Sequence, residues 1–182
     1  LHLLSRRQRQ MCIRDSVTIN RGTAAKGKTC VGSGNLLMES VHVAHDAFVG
    51  NDCIIGNGTK LAGEIIIDDH AIISANVLMH QFCRVGGYTM VGGGTRFSQD
   101  IPPYTICARE PVAYCGLNLV GLRRRGFSNE LIENIHNAYR IIYQGGVPLN
   151  EALQKVREEV PASPEINYII EFIENSKRGF VH

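Results

Sequence analysis

Cut every six residues, the stretch from Val31 to Pro102 reads VGSGNL LMESVH VAHDAF VGNDCI IGNGTK LAGEII IDDHAI ISANVL MHQFCR VGGYTM VGGGTR FSQDIP. The first position of every hexad is apolar, running Val31, Leu37, Val43, Val49, Ile55, Leu61, Ile67, Ile73, Met79, Val85, Val91, Phe97. Second positions are small or glycine, with Met38 and His80 the large exceptions, and fifth positions such as Ala47, Cys53, Thr59, Ala71, Val77 and Cys83 are mostly small or β-branched. A period of six fits neither a helix, at 3.6, nor simple strand alternation, at 2. A short strand plus a tight corner, repeated, does fit. Three such units make a triangular coil of 18 residues, and coils stack through parallel strands about 4.8 Å apart, with the apolar first positions forming a continuous interior. The spacing assigns the second-position glycines to corners, where a permissive backbone is useful.

Working outward, the phase reaches back to Ile13 and Ile19, while NRGTAAKGKTC over residues 20–30 reads as a loop excursion. Towards the C-terminus the pattern is expected to stop at Asp100-Ile101-Pro102-Pro103-Tyr104, because prolines remove ladder donors. Helical periodicity follows. Ser128 is expected to cap a helix ending at Gly145-Gly146, Asn150 a second, and Ser163-Pro164 opens a third. The expected organisation is a leader over residues 1–12, a β-helix over 13–104 with its loop at 20–30, a junction over 105–126, and a helical domain over 127–182.

Composition bounds the function classes. At 182 residues, 44% hydrophobic and 20% charged, the chain is long enough and apolar enough to bury a core, which excludes disorder as its main state. It has no apolar run of the length that spans a bilayer, about 18 residues. LHLLSRRQRQ lacks the features of a secretory signal, so a cytoplasmic chain with no transmembrane segment is expected. The net charge of +2 is uneven: residues 1–30 carry +6, residues 31–102 carry −4, and residues 103–182 are neutral. Without residues 1–12 the total becomes −1, so the basic balance gives no argument for a nucleic-acid partner. Cys12, Cys30, Cys53, Cys83, Cys107 and Cys115 form no C-x-x-C pair and read as reduced thiols, with Cys53 and Cys83 in the interior.

Stacking by 18 puts His45, Gly63 and Gln81 in one column, about 5 Å apart per coil. A histidine can take a proton from a hydroxyl, and a glycine amide one coil away can support an oxyanion, which together make a workable acyl-transfer site. Two other readings stand beside it: a solvated face histidine, and zinc held by His42, His45 and His80. Asp46 follows His45 and is a candidate to orient it, although neighbouring strand residues point to opposite faces. Arg123-Arg124-Arg125 reads either as a surface charge run or as a grip on a diphosphate.

The segments VTINRGT, NLLMESVHVAHDAFVGN, LAGEIIIDDHAIISANVLMHQFCRVG, QDIPPYTI and NLVGLRRRGFS, followed by a three-helix tail, closely resemble the acyl-carrier-protein-dependent UDP-N-acetylglucosamine O-acyltransferase family. The resemblance runs from about Ile13 to His182. It implies a left-handed β-helix with a helical C-terminal domain, assembled as a cytoplasmic homotrimer with sites between subunits. The implied reaction moves a 3-hydroxyacyl group from acyl carrier protein to the 3-hydroxyl of UDP-N-acetylglucosamine, the first step of lipid A biosynthesis in Gram-negative bacteria, with neither metal nor other cofactor. By position, His45 matches the general base, Asp46 its partner and Gly63 the oxyanion amide. His42, Gln81, Asn118, Arg124 and Arg125 match positions that hold the nucleotide sugar, His80 lines the cleft near the acyl chain, and Gly93 matches the position that sets acyl length. Asn20, Glu64 and Val120 depart from the residues of some members. The family also carries further coils before the point matching Ile13, so the chain reads as a C-terminal portion with an exposed solenoid edge. The remaining alternatives are the related UDP-3-O-acylglucosamine N-acyltransferases, a zinc enzyme on the same solenoid, and an inactive trimeric scaffold.

Overall fold

The computed structural model describes residues 12–182. The leader expected over residues 1–12 thus lies outside the described residues except for Cys12, which pairs with Leu36. Fourteen two-residue strands, from Cys12–Ile13 to Arg96–Phe97, build a parallel solenoid with three faces. The first face stacks Cys12–Ile13, Leu36–Leu37, Ile54–Ile55, Ile72–Ile73 and Met90–Val91; the second stacks Thr18–Ile19, His42–Val43, Lys60–Leu61, Leu78–Met79 and Arg96–Phe97; the third stacks Cys30–Val31, Phe48–Val49, Ile66–Ile67 and Arg84–Val85. In each strand from Val31 onward the first-position residue points in and is buried, while its predecessor faces out. Fifth-position residues close the core between faces. Their polar members are paired: Thr59 Oγ1 donates to Ser74 O at 2.9 Å, and Asn35 bonds both Gly50 O and Cys53 N. Cys53, Cys83 and Cys107 lie in this core, where burial pushes their thiols up to about 12, 11 and 12.

The corners differ from the expectation in one respect. Left-handed backbone falls at the fourth hexad position, at Ser40, Asp46, Asp52, Glu64, His70, Asn76, Phe82 and Tyr88, and not at the second-position glycines. Turning over at that residue aims its amide along the solenoid: Glu64 N donates to His45 O, His70 N to Asn51 O, and Phe82 N to Gly63 O. Second-position glycines serve a different purpose, close approach of coils. A Cβ on Gly56 would sit 2.5 Å from the Ala75 nitrogen and the Ser74 carbonyl carbon.

Between Ile19 and Val31 the register gains six residues, so paired residues there are 24 apart (Ile13 with Leu37, Ile19 with Val43) instead of 18. The excursion over residues 20–30 therefore occupies the corner between the second and third faces. At the other end pairing does not stop at the prolines. It slips by two residues, Val85 bridging Ile101 and Val91 pairing with Cys107, so that Thr105–Ala108 extends the first face and Ala113–Leu117 returns antiparallel. Pro102 and Pro103 occupy the corner, where no ladder donor is needed, and the Pro102 carbonyl accepts from the Thr89 and Thr105 hydroxyls.

Four helices follow: α1 (Leu119–Arg124), α2 (Asn129–Gln144), α3 (Leu149–Glu159) and α4 (Pro164–Glu174). Ser128 and Ser163 cap α2 and α4 as expected, each accepting from the third residue beyond. Asn150 does not cap α3: Pro148 holds that place with extended backbone and Asn150 lies inside the helix. The helices share a second core around Ile135, Tyr139, Val156 and Phe172. The chain then returns to the solenoid, where Val181 N bonds Asp100 O and the Val181 side chain joins the solenoid core. No helix among the described residues is long and apolar enough to cross a membrane.

Candidate active site at the corner between the second and third faces

His45, Gly63 and Gln81 stack at the corner that joins the second and third faces. The His45 ring lies over Gly63 so closely that a Cβ there would meet its Cε1 at 2.6 Å and its Nε2 at 2.7 Å. Only glycine leaves the ring that place. His45 Nδ1 donates to Asp46 Oδ2 at 2.9 Å, which leaves Nε2 free to accept. Strand alternation would separate these two side chains, but φ is 60° at Asp46, and the left-handed turn brings them to the same side.

Asp46 is held from below by the excursion. Thr23 N donates to Oδ1 at 2.9 Å and Thr23 Oγ1 to Oδ2 at 2.8 Å, while Asp46 N donates to Thr29 Oγ1 at 2.8 Å. Burial works to raise the pKa of this carboxyl, but the hydrogen bonds from His45 and Thr23 outweigh it and hold Asp46 below the usual aspartate value. The Asp46 side chain is 2% exposed and that of His45 is 47% exposed, so the imidazole, not the acid, meets solvent.

Third-position amides are the donors a solenoid corner leaves over. At the corner joining the third and first faces three of them are filled: Ser33 N by Asn51 Oδ1, Asn51 N by Asp69 Oδ1, and Gly87 N by the Tyr168 hydroxyl. Gly63 N has no partner among the described residues, which leaves a backbone donor beside the His45 ring.

Next to this corner an open groove of about 670 Å³ runs over the second face, lined by His42, Lys60, Leu78, His80, Arg96, Ser98 and Glu110 among others. His42 Nδ1 shares a 2.6 Å hydrogen bond with Thr18 Oγ1, and His80 Nδ1 lies 3.0 Å from Gln81 O. The three imidazoles of the zinc reading thus have separate partners, and among the described residues no three His, Cys, Asp or Glu side chains are grouped as metal ligands.

The remaining sequence candidates sit elsewhere. Gly93 lies at the corner joining the first and second faces, where a Cβ would meet Ala75 O at 3.3 Å. Asn118 caps α1, accepting from Gly121 N, and donates to Tyr88 O. Arg125 Nη1 donates to His70 Nδ1 at 2.9 Å, and its guanidinium lies 5.8 Å from the Tyr88 ring centre. Arg124 is exposed in the last turn of α1. Asn118 and Arg125 are thereby gathered around Tyr88, at the corner joining the third and first faces, one full face away from His45. Thr23 and Thr29 were not foreseen; the only sequence signal was an insertion of one hexad length below the His45 corner.

Stacked hexads, left-handed corner residues and a helical cap define the hexapeptide-repeat β-solenoid class. Residues 100–181 match the family described as Udp N-acetylglucosamine O-acyltransferase; Domain 2. The acyl-[acyl-carrier-protein]–UDP-N-acetylglucosamine O-acyltransferase of Aliivibrio salmonicida (strain LFI1238) is 41% identical over 170 residues, 93% of this chain and 65% of the relative, so the chain spans just under two thirds of that protein's length. The crystal structure of a UDP-N-acetylglucosamine acyltransferase from Bacteroides fragilis 9343 is 71% identical with a TM-score of 0.92, covering 94% of this chain and 68% of that one. The Francisella novicida UDP-N-acetylglucosamine acyltransferase is 36% identical with a TM-score of 0.90, over 94% and 63%. The chain belongs to the UDP-N-acetylglucosamine O-acyltransferase family, and its solenoid is the left-handed β-helix of that family.

Proposed function

We propose that the protein transfers a 3-hydroxyacyl group from acyl carrier protein to the 3-hydroxyl of UDP-N-acetylglucosamine, the first step of lipid A biosynthesis. The observation that carries this reading is the His45–Asp46 pair set against the open Gly63 amide. His45 Nε2 takes the proton of the sugar hydroxyl as its oxygen bonds to the thioester carbonyl carbon. The carbonyl oxygen, now anionic, accepts from Gly63 N–H. Collapse breaks the C–S bond, and the carrier's sulfur leaves with the proton that His45 returns, so the cycle needs neither a metal nor a covalent enzyme intermediate. Asp46 keeps a proton on Nδ1 and offsets the imidazolium charge. His42, His80 and Gln81 line or border the groove where the acceptor sugar and acyl chain meet, with Gly93 at its acyl end.

Asn118, Arg124 and Arg125 take the uridine diphosphate end, the guanidinium forks suiting phosphate oxygens. Their distance from His45 within one chain favours a homotrimer in which one copy supplies the base and its neighbour the arginines. Acyl carrier protein is the donor partner, and the setting is the cytoplasm. The test is acyl transfer from 3-hydroxyacyl carrier protein to UDP-N-acetylglucosamine: His45→Ala is expected to lower kcat by about 10²- to 10⁴-fold with an unchanged unfolding midpoint. Full turnover by that variant would overturn the reading.

A further inference from the structure

Between Ser40 and Gly94, the amide of every other fourth-position corner residue bonds the third-position carbonyl of the coil below, as Glu64 does to His45 and His70 to Asn51. Asp46 is the exception. The coil below it carries the six-residue insertion at this same corner, so the regular carbonyl is replaced by the Thr29 hydroxyl. The insertion also supplies two donors to the Asp46 side chain, from Thr23 N and Thr23 Oγ1.

The insertion is itself fastened. Gly27 N donates to Thr23 O at 2.7 Å, closing a turn, and Gly22 forms a neck so tight that a Cβ would sit 2.1 Å from Lys28 N. Its tip is tied to the coil above by Lys26 Nζ, 3.3 Å from Glu64 Oε2, one residue beyond Gly63. A free aspartate beside an exposed histidine rotates among staggered positions, and only one of them serves the ring. With three donors on its two oxygens, Asp46 has one orientation, and that orientation fixes the His45 tautomer and aims Nε2 outward.

We infer that the loop over residues 20–30 is a strap for the reacting histidine, and that Thr23 is a positioning residue acting on His45 through Asp46. This rests on the proposed acyl-transfer reading and adds to it a residue outside the reacting atoms. Thr23→Ala keeps the backbone donor but removes the hydroxyl donor to Oδ2, the oxygen that also receives His45. The expected result is a kcat lower by about tenfold or more with KM for the nucleotide sugar nearly unchanged, since a small displacement of a reacting group costs rate before it costs binding. Thr23→Ser, which restores the hydroxyl, is expected to recover most of the loss. In an Asp46→Asn background Thr23→Ala is expected to cost little more, because the two changes break one chain of contacts.

Nitrogen-15 histidine spectra give a readout that does not need turnover: the His45 Nδ1–H resonance of the wild-type protein is expected to shift or broaden in Thr23→Ala and to return in Thr23→Ser. An unchanged resonance, an unchanged kcat in an active protein, or a loss of equal size in the Asp46→Asn background would overturn the strap. Retained activity in His45→Ala would overturn the acyl-transfer reading instead, and the resonance would still decide the role of Thr23.

Discussion

Asp46 shows how one dihedral decides a site. A reading by strand alternation sends His45 and Asp46 to opposite faces, yet the left-handed φ of 60° puts their side chains within 2.9 Å. The column of His45, Gly63 and Gln81 was legible because 18-residue stacking is arithmetic; Thr23 and Thr29 were not, because a loop's hydrogen bonds follow no period. The glycines teach the same distinction. Their positions at corners were legible, but the reason is contact between coils at Gly56 and left-handed backbone at Gly94, where φ is 72°. Gly56→Ala is therefore expected to cost about 1–3 kcal/mol, as its methyl has only fixed backbone to displace. Gly94→Asn, with open space around it and Asn76 already at φ 57° one coil away, is expected to cost less than about 1 kcal/mol. Denaturant midpoints of the two variants check the contrast, and equal losses would refute it.

At the scale of elements, the cap signals that worked were those with a side-chain oxygen at the right place: Ser128 before α2 and Ser163 with Pro164 before α4. Asn150 misled because Pro148, two residues earlier, already fixes an extended backbone from which α3 starts. The six residues of α1 were too few to show periodicity, and what starts it is the Asn118 side-chain Oδ1 accepting from Gly121 N. What ties the helices to the solenoid is a polar contact that no pattern announces. Tyr168 of α4 donates to Asp68 Oδ2 at 2.5 Å and accepts from Gly87 N, while Arg84 binds the same carboxylate and lies over the Phe172 ring at 4.5 Å. Burial and the Asp68 carboxylate push the Tyr168 phenol well up, so it stays a donor. Tyr168→Phe strands the Gly87 donor and removes one from Asp68, for an expected loss of about 1–3 kcal/mol. Hydrogen exchange locates it: α4 amides are expected to exchange faster while solenoid amides keep their protection. Equal acceleration in both would show the two parts opening as one unit instead.

For the whole molecule, the outward positions matter as much as the inward ones. Phe48, Ile66 and Phe82 are 47%, 41% and 49% exposed on and beside the third face, the face that lies between the His45 corner and the Arg125 corner. Such apolar surface on the face separating two halves of a proposed site suits a partner copy seated there. In a cyclic trimer each site would then take His45 from one copy and Arg125 from the next. His45→Ala and Arg125→Ala chains, each nearly inactive alone at subsaturating nucleotide sugar, can be unfolded together and reassembled at equal amounts. A site is intact when the first copy carries the arginine variant and the second the histidine variant, so random assembly is expected to restore about a quarter of wild-type activity. If base and arginines worked within one chain, every chain in the mixture would still carry a defect, and reassembly would recover nothing.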